Sequence, residues 1–171
     1  MKNLTAFLDS YHRLTHLPEP EYKTVSVPAL FTKLERLLQA EPRSERVVYC
    51  DGKADKSTGK ELQVYGDANL LTLALINLIR NALQAVEGQE DGIVRVDTCA
   101  GATGHLLITI TDNGPGIPPE RLSAIFTPFF STKSGGSGIG LPISQRIMQL
   151  HGGQLSVSSI PNVRTEFRME F

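Results

Sequence analysis

Apolar residues recur along this chain in two periods, and the switches between them divide it into elements. Residues 2–15 place Leu4, Phe7, Tyr11 and Leu14 three and four positions apart, with Leu8 widening the stripe, which predicts a helix with one apolar seam. A helix of that length is marginal alone in water, so the seam needs either a partner helix or the rest of this chain. Leu17-Pro18-Glu19-Pro20 ends it, because the residue before a proline is pushed out of helical geometry. Tyr22 to Val25 reads as a short strand. Ser26 is a good N-cap, with Pro28 in the first turn, for a helix to about Ala40. Arg46 to Cys50 and Glu61 to Tyr65 read as strands, with Gly52 to Gly59 as the polar turn between them. Asp67 caps a long helix through Val86, and Ile93 to Thr98 and Leu106 to Thr111 alternate as a strand pair. The stretch from Asp112 to Ser137 is loop-rich, with a short helix near Glu120 to Ile125. A helix from Gly138 to Leu150 and strands over Gln154 to Ser158 and Thr165 to Phe171 complete the order. It predicts an α+β domain, a mixed sheet with helices packed on one face.

Composition narrows the classes. A chain of 171 residues can bury one good core. Its 40% hydrophobic and 20% charged residues are ordinary for a soluble globular protein. A net charge of −1 without a long basic run argues against a nucleic-acid partner. The longest apolar run, Leu70 to Ile79, is broken by Thr72 and Asn77 and is too short to cross a bilayer. No basic segment followed by an apolar core opens the chain, so no secretory leader is expected. Cys50 and Cys99 stand far apart and outside any metal or C-x-x-C spacing, which reads as two reduced, buried thiols in the cytoplasm.

Three segments carry candidate chemistry. The helix from Asp67 to Val86 is apolar nearly all round, which predicts burial. Yet Asn77 and Asn81, four apart, share a face with Arg80 and Gln84 beside them. Buried polar groups need partners, from the core or from a ligand, and a whole polar stripe favours a ligand. Asp112-Asn113-Gly114-Pro115-Gly116-Ile117 follows directly on an apolar strand. It reads as a simple turn, or as a carboxylate at a strand end whose small neighbours let a flat ligand approach the backbone. Such a carboxylate accepts from the exocyclic amine of adenine and repels the carbonyl of guanine. Gly135-Gly136-Ser137-Gly138-Ile139-Gly140-Leu141 precedes a helix, so its glycines and the free amides of the helix start suit phosphates. No Lys-Ser or Lys-Thr follows the last glycine and no strand leads straight in, so it is neither a P-loop nor a dinucleotide fingerprint.

Together and in this order, these segments resemble the nucleotide site of the GHKL ATPases, and within them the sensor histidine kinases. Asn77-Leu78-Ile79-Arg80-Asn81-Ala82 resembles the N box, and Asp112 to Gly116 the first glycine box. Phe126-Thr127-Pro128-Phe129-Phe130-Ser131-Thr132-Lys133 resembles the F box, and Gly136 to Leu141 the second glycine box. His151-Gly152-Gly153 and Thr165-Glu166-Phe167 look like the family's C-terminal end, so the resemblance covers about residues 22–171. It implies the Bergerat fold: a two-layer α/β sandwich with a mixed, mostly antiparallel sheet, helices on one face and a mobile ATP lid. It implies ATP and Mg2+, with Asn81 on the metal, for which an amide oxygen is a suitable hard ligand. Asp112 would read the adenine amine with Thr165 nearby, Gly114 and Gly116 would form the adenine floor and lid hinge, and Ile117 would also contact the nucleotide. Lys133 would neutralise phosphate charge while Gly136, Gly138 and Gly140 wrap the phosphates. Asn77, Gln84, Phe130, Ser131, Thr132, Ser137, Ile139 and Leu141 count among the implied nucleotide contacts. Phe126, Phe129 and Phe130 either anchor the lid or belong to the core.

Two positions depart from the commoner patterns of the superfamily. Gln84 stands where many of the kinases carry Lys or His, which makes Arg80 the candidate for the missing charge. Asn77 stands where the hydrolases carry the glutamate that deprotonates water, and an amide is no base at neutral pH. Water attack is expected to be slow, keeping the γ-phosphoryl group for an imidazole brought in line. Asn77, Arg80 and Lys133 are therefore the expected catalytic residues. The acceptor itself is not recognisable, because His12-Arg13, His16-Leu17, His105-Leu106 and His151-Gly152 all lack the acidic residue that follows it in the family. Residues 1–20 instead resemble the end of a dimerisation-and-phosphotransfer hairpin and its linker, as in nitrogen-regulation-type kinases, with 21–171 as the ATP-binding catalytic domain. The expectation is a fragment of a protein-histidine kinase that works on its homodimeric parent's hairpin, upstream of a response regulator. It would act in the cytoplasm whether or not the parent is anchored in the inner membrane, with no nucleic acid and no direct membrane contact. A hydrolase and a non-catalytic ATP-sensing module are the competing classes.

Overall fold

In the computed structural model, residues 16–50, 59, 61–100, 105–132 and 136–171 are described. The predicted helix over 2–15 and all of the predicted turn Gly52 to Gly59 except Gly59 lie outside them. Strand β1 (Lys23–Ser26) leads into helix α1 (Val27–Leu38), then β2 (Val47–Cys50), β3 (Gln63–Gly66) and the long helix α2 (Ala68–Ala85). Strands β4 (Val94–Ala100) and β5 (Leu106–Asp112) follow, then a short helix α3 (Pro119–Leu122), helix α4 (Gly140–Leu150) and strands β6 (Gln154–Ile160) and β7 (Arg164–Glu170). The main sheet runs β2-β4-β5-β7-β6; β2 lies parallel to β4 and every other pair is antiparallel. Strands β1 and β3 form a separate antiparallel pair. The mixed, mostly antiparallel sheet with helices on one face is as expected.

Alternation makes the sheet one-sided. Val94, Val96, Ile108, Ile110, Phe167 and Met169 point to the helices and are buried. The opposite face carries Arg95, Asp97, Glu166 and Arg168, paired on their own strands as Arg95–Asp97 at 3.6 Å and Arg168–Glu166 at 2.5 Å. From the helical side Leu71, Leu75, Leu78 and Ile79 of α2 and Ile147 and Met148 of α4 fill the core. Burying one such side chain contributes about 1.5–3 kcal/mol. Two expectations need correction. Helix α2 is not buried all round, since Leu73 is 39% exposed. Cys99 is exposed, because its strand position falls on the open face, while Cys50 is half-buried.

Caps set the helix starts. The Ser26 hydroxyl accepts the Ala29 N–H at 3.2 Å, with Pro28 in the first turn of α1. Asp67 Oδ1 accepts the N–H groups of Asn69 and Leu70 at 2.8 and 3.0 Å. Helix α4 starts two residues later than the predicted Gly138, because Gly138 has a left-handed φ of +66° that a right-handed helix cannot include.

Helices α2 and α4 run antiparallel, which the contacts at both ends show. At the far end His151 Nε2 accepts the Asp67 N–H at 2.9 Å. Midway, the buried Ser144 hydroxyl bonds the Ala74 carbonyl at 3.4 Å and the Gly140 carbonyl at 3.0 Å. Residues 21 and 22 join the far end: the Glu21 N–H donates to Asp67 Oδ2 at 2.8 Å and the Tyr22 hydroxyl to the Leu150 carbonyl at 2.5 Å.

Candidate nucleotide-binding site

One row of α2 organises the site. Asn77, Asn81 and Ala85 stand four apart and so share a helix face over about 12 Å of helix rise. At one end, Asn77 Nδ2 donates to the Gly140 carbonyl at 3.4 Å, which seats the first turn of α4 on it. At the other end Gly114 presses on Ala85: a Cβ on Gly114 would fall 3.0 Å from the Ala85 Cβ. The half-buried Asn81 lies between these two contacts. The three sequence segments are thus brought together along one line, with glycine loops at both ends and an amide in the middle. Gln84 is exposed beside the row.

The carboxylate end is built by the sheet. Asp112 closes β5 at 2% exposure and Thr165 sits opposite it on β7 at 3%. Asp112 Oδ1 accepts the Gly114 N–H at 2.9 Å, so the carboxylate is oriented by its own turn. A Cβ on Gly114 would come within 2.7 Å of that same oxygen, so only glycine fits. Asn113 ties the turn to the start of β4, accepting the Ile93 N–H at 2.8 Å and donating to the Asp91 carbonyl at 2.9 Å. Gly116 has φ +72° and lies against the Ile160 carbonyl, where a Cβ would fall at 2.7 Å. Ile117 is half-buried against the core and its N–H donates to the Ser159 hydroxyl at 2.8 Å. The Pro115 carbonyl accepts the Asn162 N–H at 2.8 Å, so the whole turn is strapped to the β6–β7 hairpin.

The glycine loop before α4 is braided to the phenylalanine segment. Phe129 donates its N–H to the Gly138 carbonyl at 3.0 Å, and a Cβ on Gly138 would fall 2.6 Å from the Phe129 carbonyl carbon. Phe129 itself adopts φ 66°, strained for a non-glycine residue. The phenylalanines divide: Phe126 packs on the core, while Phe129 and Phe130 are 38% and 36% exposed. Ser131, Thr132, Gly136 and Ser137 are exposed, Ile139 is buried, and Leu141 and Gly140 are half-buried. Lys133 and Gly135 lie outside the described residues. Ile139 supplies no side-chain cap to α4, so the amides of its first turn are not capped from within and suit an anion. Arg80 is exposed, and its guanidinium pairs with Glu41 of the loop after α1.

Sequence reasoning missed Ser159, the residue that joins Ile117 to Thr165. A serine among Ser156, Ser158 and Ser159 reads as a solvated strand face, and only the pairing of β6 with β7 reveals it. A separate cavity of about 330 Å3 lies between α1 and β2, lined by Glu35, Leu38, Glu45 and Tyr49 among others. The Tyr49 hydroxyl there is buried with no hydrogen-bond partner among the described residues. Burial, and then the charge of Glu35, push its pKa up to about 12.

A family model described as histidine kinase-, DNA gyrase B- and HSP90-like ATPase matches residues 66–171, more than half of the chain. The chain is 43% identical over 98 residues to the sensor histidine kinase ZraS of Salmonella typhimurium, covering 57% of this chain and 21% of that protein. It is 34% identical over 163 residues to the sensory histidine kinase/phosphatase NtrB of Vibrio alginolyticus, covering 90% of this chain and 45% of that one. The catalytic domain of the histidine kinase ThkA superposes with a TM-score of 0.71 at 27% identity, over 88% of this chain and 95% of that domain. The mycobacterial sensor histidine kinase MprB gives the same score and identity, over 88% and 97%. The chain therefore spans less than half the length of these two curated relatives, and nearly all of the two solved chains.

Proposed function

Because the chain belongs to the family of histidine kinase-, DNA gyrase B- and HSP90-like ATPases, we propose that it is the ATP-binding catalytic part of a two-component sensor histidine kinase. On this reading it passes the γ-phosphoryl group of ATP to a histidine on the parent's helical hairpin, with residues 1–20 as the end of that hairpin and its linker. The phosphorylated hairpin then serves a response regulator, in the cytoplasm.

The observation that carries the proposal is the row Asn77–Asn81–Ala85, with an uncapped helix start at one end and the Asp112 turn at the other. ATP laid along it puts adenine at Asp112 and Thr165 and the phosphates at Gly136 to Gly140. Asn81 fits Mg2+ as one hard amide oxygen between the two ends, with the triphosphate supplying further oxygens. When bound, the ion neutralises charge on the phosphates. Lys133 adds a further positive charge, and Arg80 does so once released from Glu41. Asn77 is an amide already engaged by Gly140, so nothing at this position can deprotonate a water.

Incubating the chain with labelled ATP, Mg2+ and the parent's hairpin tests the proposal. Phosphohistidine on the hairpin is expected. Tight ATP binding without transfer to a competent hairpin points to a nucleotide-sensing module instead. Steady phosphate release by the chain alone, lost in Asn77→Ala, points to a hydrolase.

A further inference from the structure

The Ser159 hydroxyl has one proton and two lone pairs, and the structure accounts for all three. The Arg164 carbonyl can only accept, and takes the proton at 3.0 Å. The Ile117 N–H can only donate, and fills one lone pair at 2.8 Å. The second lone pair faces Thr165 Oγ1 at 3.2 Å. With the proton of Ser159 already engaged, the hydrogen in that contact is the one on Thr165. The Thr165 hydroxyl therefore turns its hydrogen toward β6 and keeps only lone pairs for its other neighbours.

Its neighbour across the β5–β7 ladder is Asp112, and both side chains are buried on the helical side of the sheet. Cross-strand partners stand about 4.5–5.5 Å apart at Cβ, so two groups with acceptor character lie side by side at this edge. We infer that Ser159 is a specificity-determining positioning residue: by holding the Thr165 proton and the Ile117 amide together, it keeps the base-reading edge acceptor-only and pins the start of the loop after Gly116 to the β6–β7 hairpin. The inference rests on the reading of Asp112 and Thr165 as the edge that meets the base. An exocyclic amine satisfies two acceptors, whereas a carbonyl in the same place is repelled by both. Without the Ser159 hydroxyl, Thr165 rotates freely and can donate, and the penalty on a carbonyl falls.

The test compares ATP and GTP affinities for the full 171-residue chain, as wild type, Ser159→Ala and Ser159→Thr, by competition against a fluorescent ATP analogue. The Ser159→Ala chain is expected to lose about tenfold of the wild-type preference for ATP, the equivalent of one hydrogen-bond preference. Ser159→Thr, which keeps a hydroxyl, restores the preference. Amide exchange at Ile117 rises in Ser159→Ala and not in Ser159→Thr. A merely structural serine would weaken both nucleotides equally, so an unchanged preference in a folded Ser159→Ala chain overturns the inference. So does a preference lost equally in Ser159→Thr. A wild-type chain that binds no ATP overturns the reading of the site itself, and is distinguished by needing no variant.

Discussion

His151 Nε2 accepts the backbone N–H of Asp67 at 2.9 Å while the same ring donates from Nδ1 to the Ile147 carbonyl at 2.7 Å. One imidazole thereby fastens the start of α2 to the end of α4, the two helices whose other contacts line the candidate site. A Cβ on Gly66 would fall 2.5 Å from the ring, so the neighbouring glycine makes room for it. Replacing the ring by Ala leaves the buried Asp67 N–H without its acceptor, which costs about 1–3 kcal/mol. His151→Ala is expected to lower the denaturant midpoint accordingly, and to weaken ATP binding only through that loss.

Asp67 makes acid stability legible. Burial by itself would raise its pKa, but the N–H groups of Glu21, Leu70 and Asn69, with a smaller contribution from the charge of the neighbouring His151, outweigh burial and hold it below the ordinary value of 3.8. A depressed carboxylate stabilises the fold above its unfolded pKa and loses that contribution as pH falls through the folded value. Asp67→Ala is therefore expected to cost about 1–2 kcal/mol at neutral pH, the usual loss of a helix cap. The gap to wild type should hold down to about pH 4 and narrow below it. Urea unfolding across pH 2–7 measures this; a gap that widens toward acid would contradict the assignment.

Gly138 has no room for a side chain and the wrong φ for one. A Cβ meets the Phe129 carbonyl carbon at 2.6 Å and the Phe130 carbonyl oxygen at 2.7 Å, both backbone atoms that cannot swing away. Gly138→Ala should displace the loop before α4 and lower ATP affinity by about tenfold or more, since a non-glycine residue in such a conformation costs about 1–3 kcal/mol. Isothermal titration with Mg-ATP reads this, and the thermal midpoint should move far less than the affinity.

Arg80 has two possible partners, and mutating each separates them. Its pairing with Glu41 is at the surface, where such ion pairs are worth about 0–1 kcal/mol, so Arg80→Ala should barely change stability. If Arg80 supplies charge to the phosphates, Glu41→Ala releases it and raises ATP affinity while Arg80→Ala lowers it. Equal affinities in both variants would remove Arg80 from the site.

Tyr49→Phe is expected to leave stability unchanged or raise it by about 1 kcal/mol, because the lost hydroxyl is buried without a partner among the described residues. Calorimetric unfolding checks it. A clear destabilisation would show that the hydroxyl has a partner in solution, with ordered water in the α1–β2 cavity as the first candidate.

Much of the candidate site was legible because its parts are local. Asn77 and Asn81 share a face by helix period alone, and the glycines at 114, 116 and 138 mark backbone positions where a Cβ collides or φ turns positive. The Asp112 carboxylate follows an alternating strand, so its place at a strand end was readable. Ser159, the Arg80–Glu41 pair and the His151–Asp67 bond were not readable, because each joins residues from different elements.

The element order, the caps at Ser26 and Asp67 and the one-sided sheet could all be read from the local pattern of residues. Periodicity and steric exclusion act within a few residues and leave their mark in the chain. Only the tertiary structure decided that Asn77 meets Gly140, that Ala85 meets Gly114, and that Ser159 orients Thr165. These contacts depend on strand register and helix packing, where distant parts of the chain compete for the same buried surface.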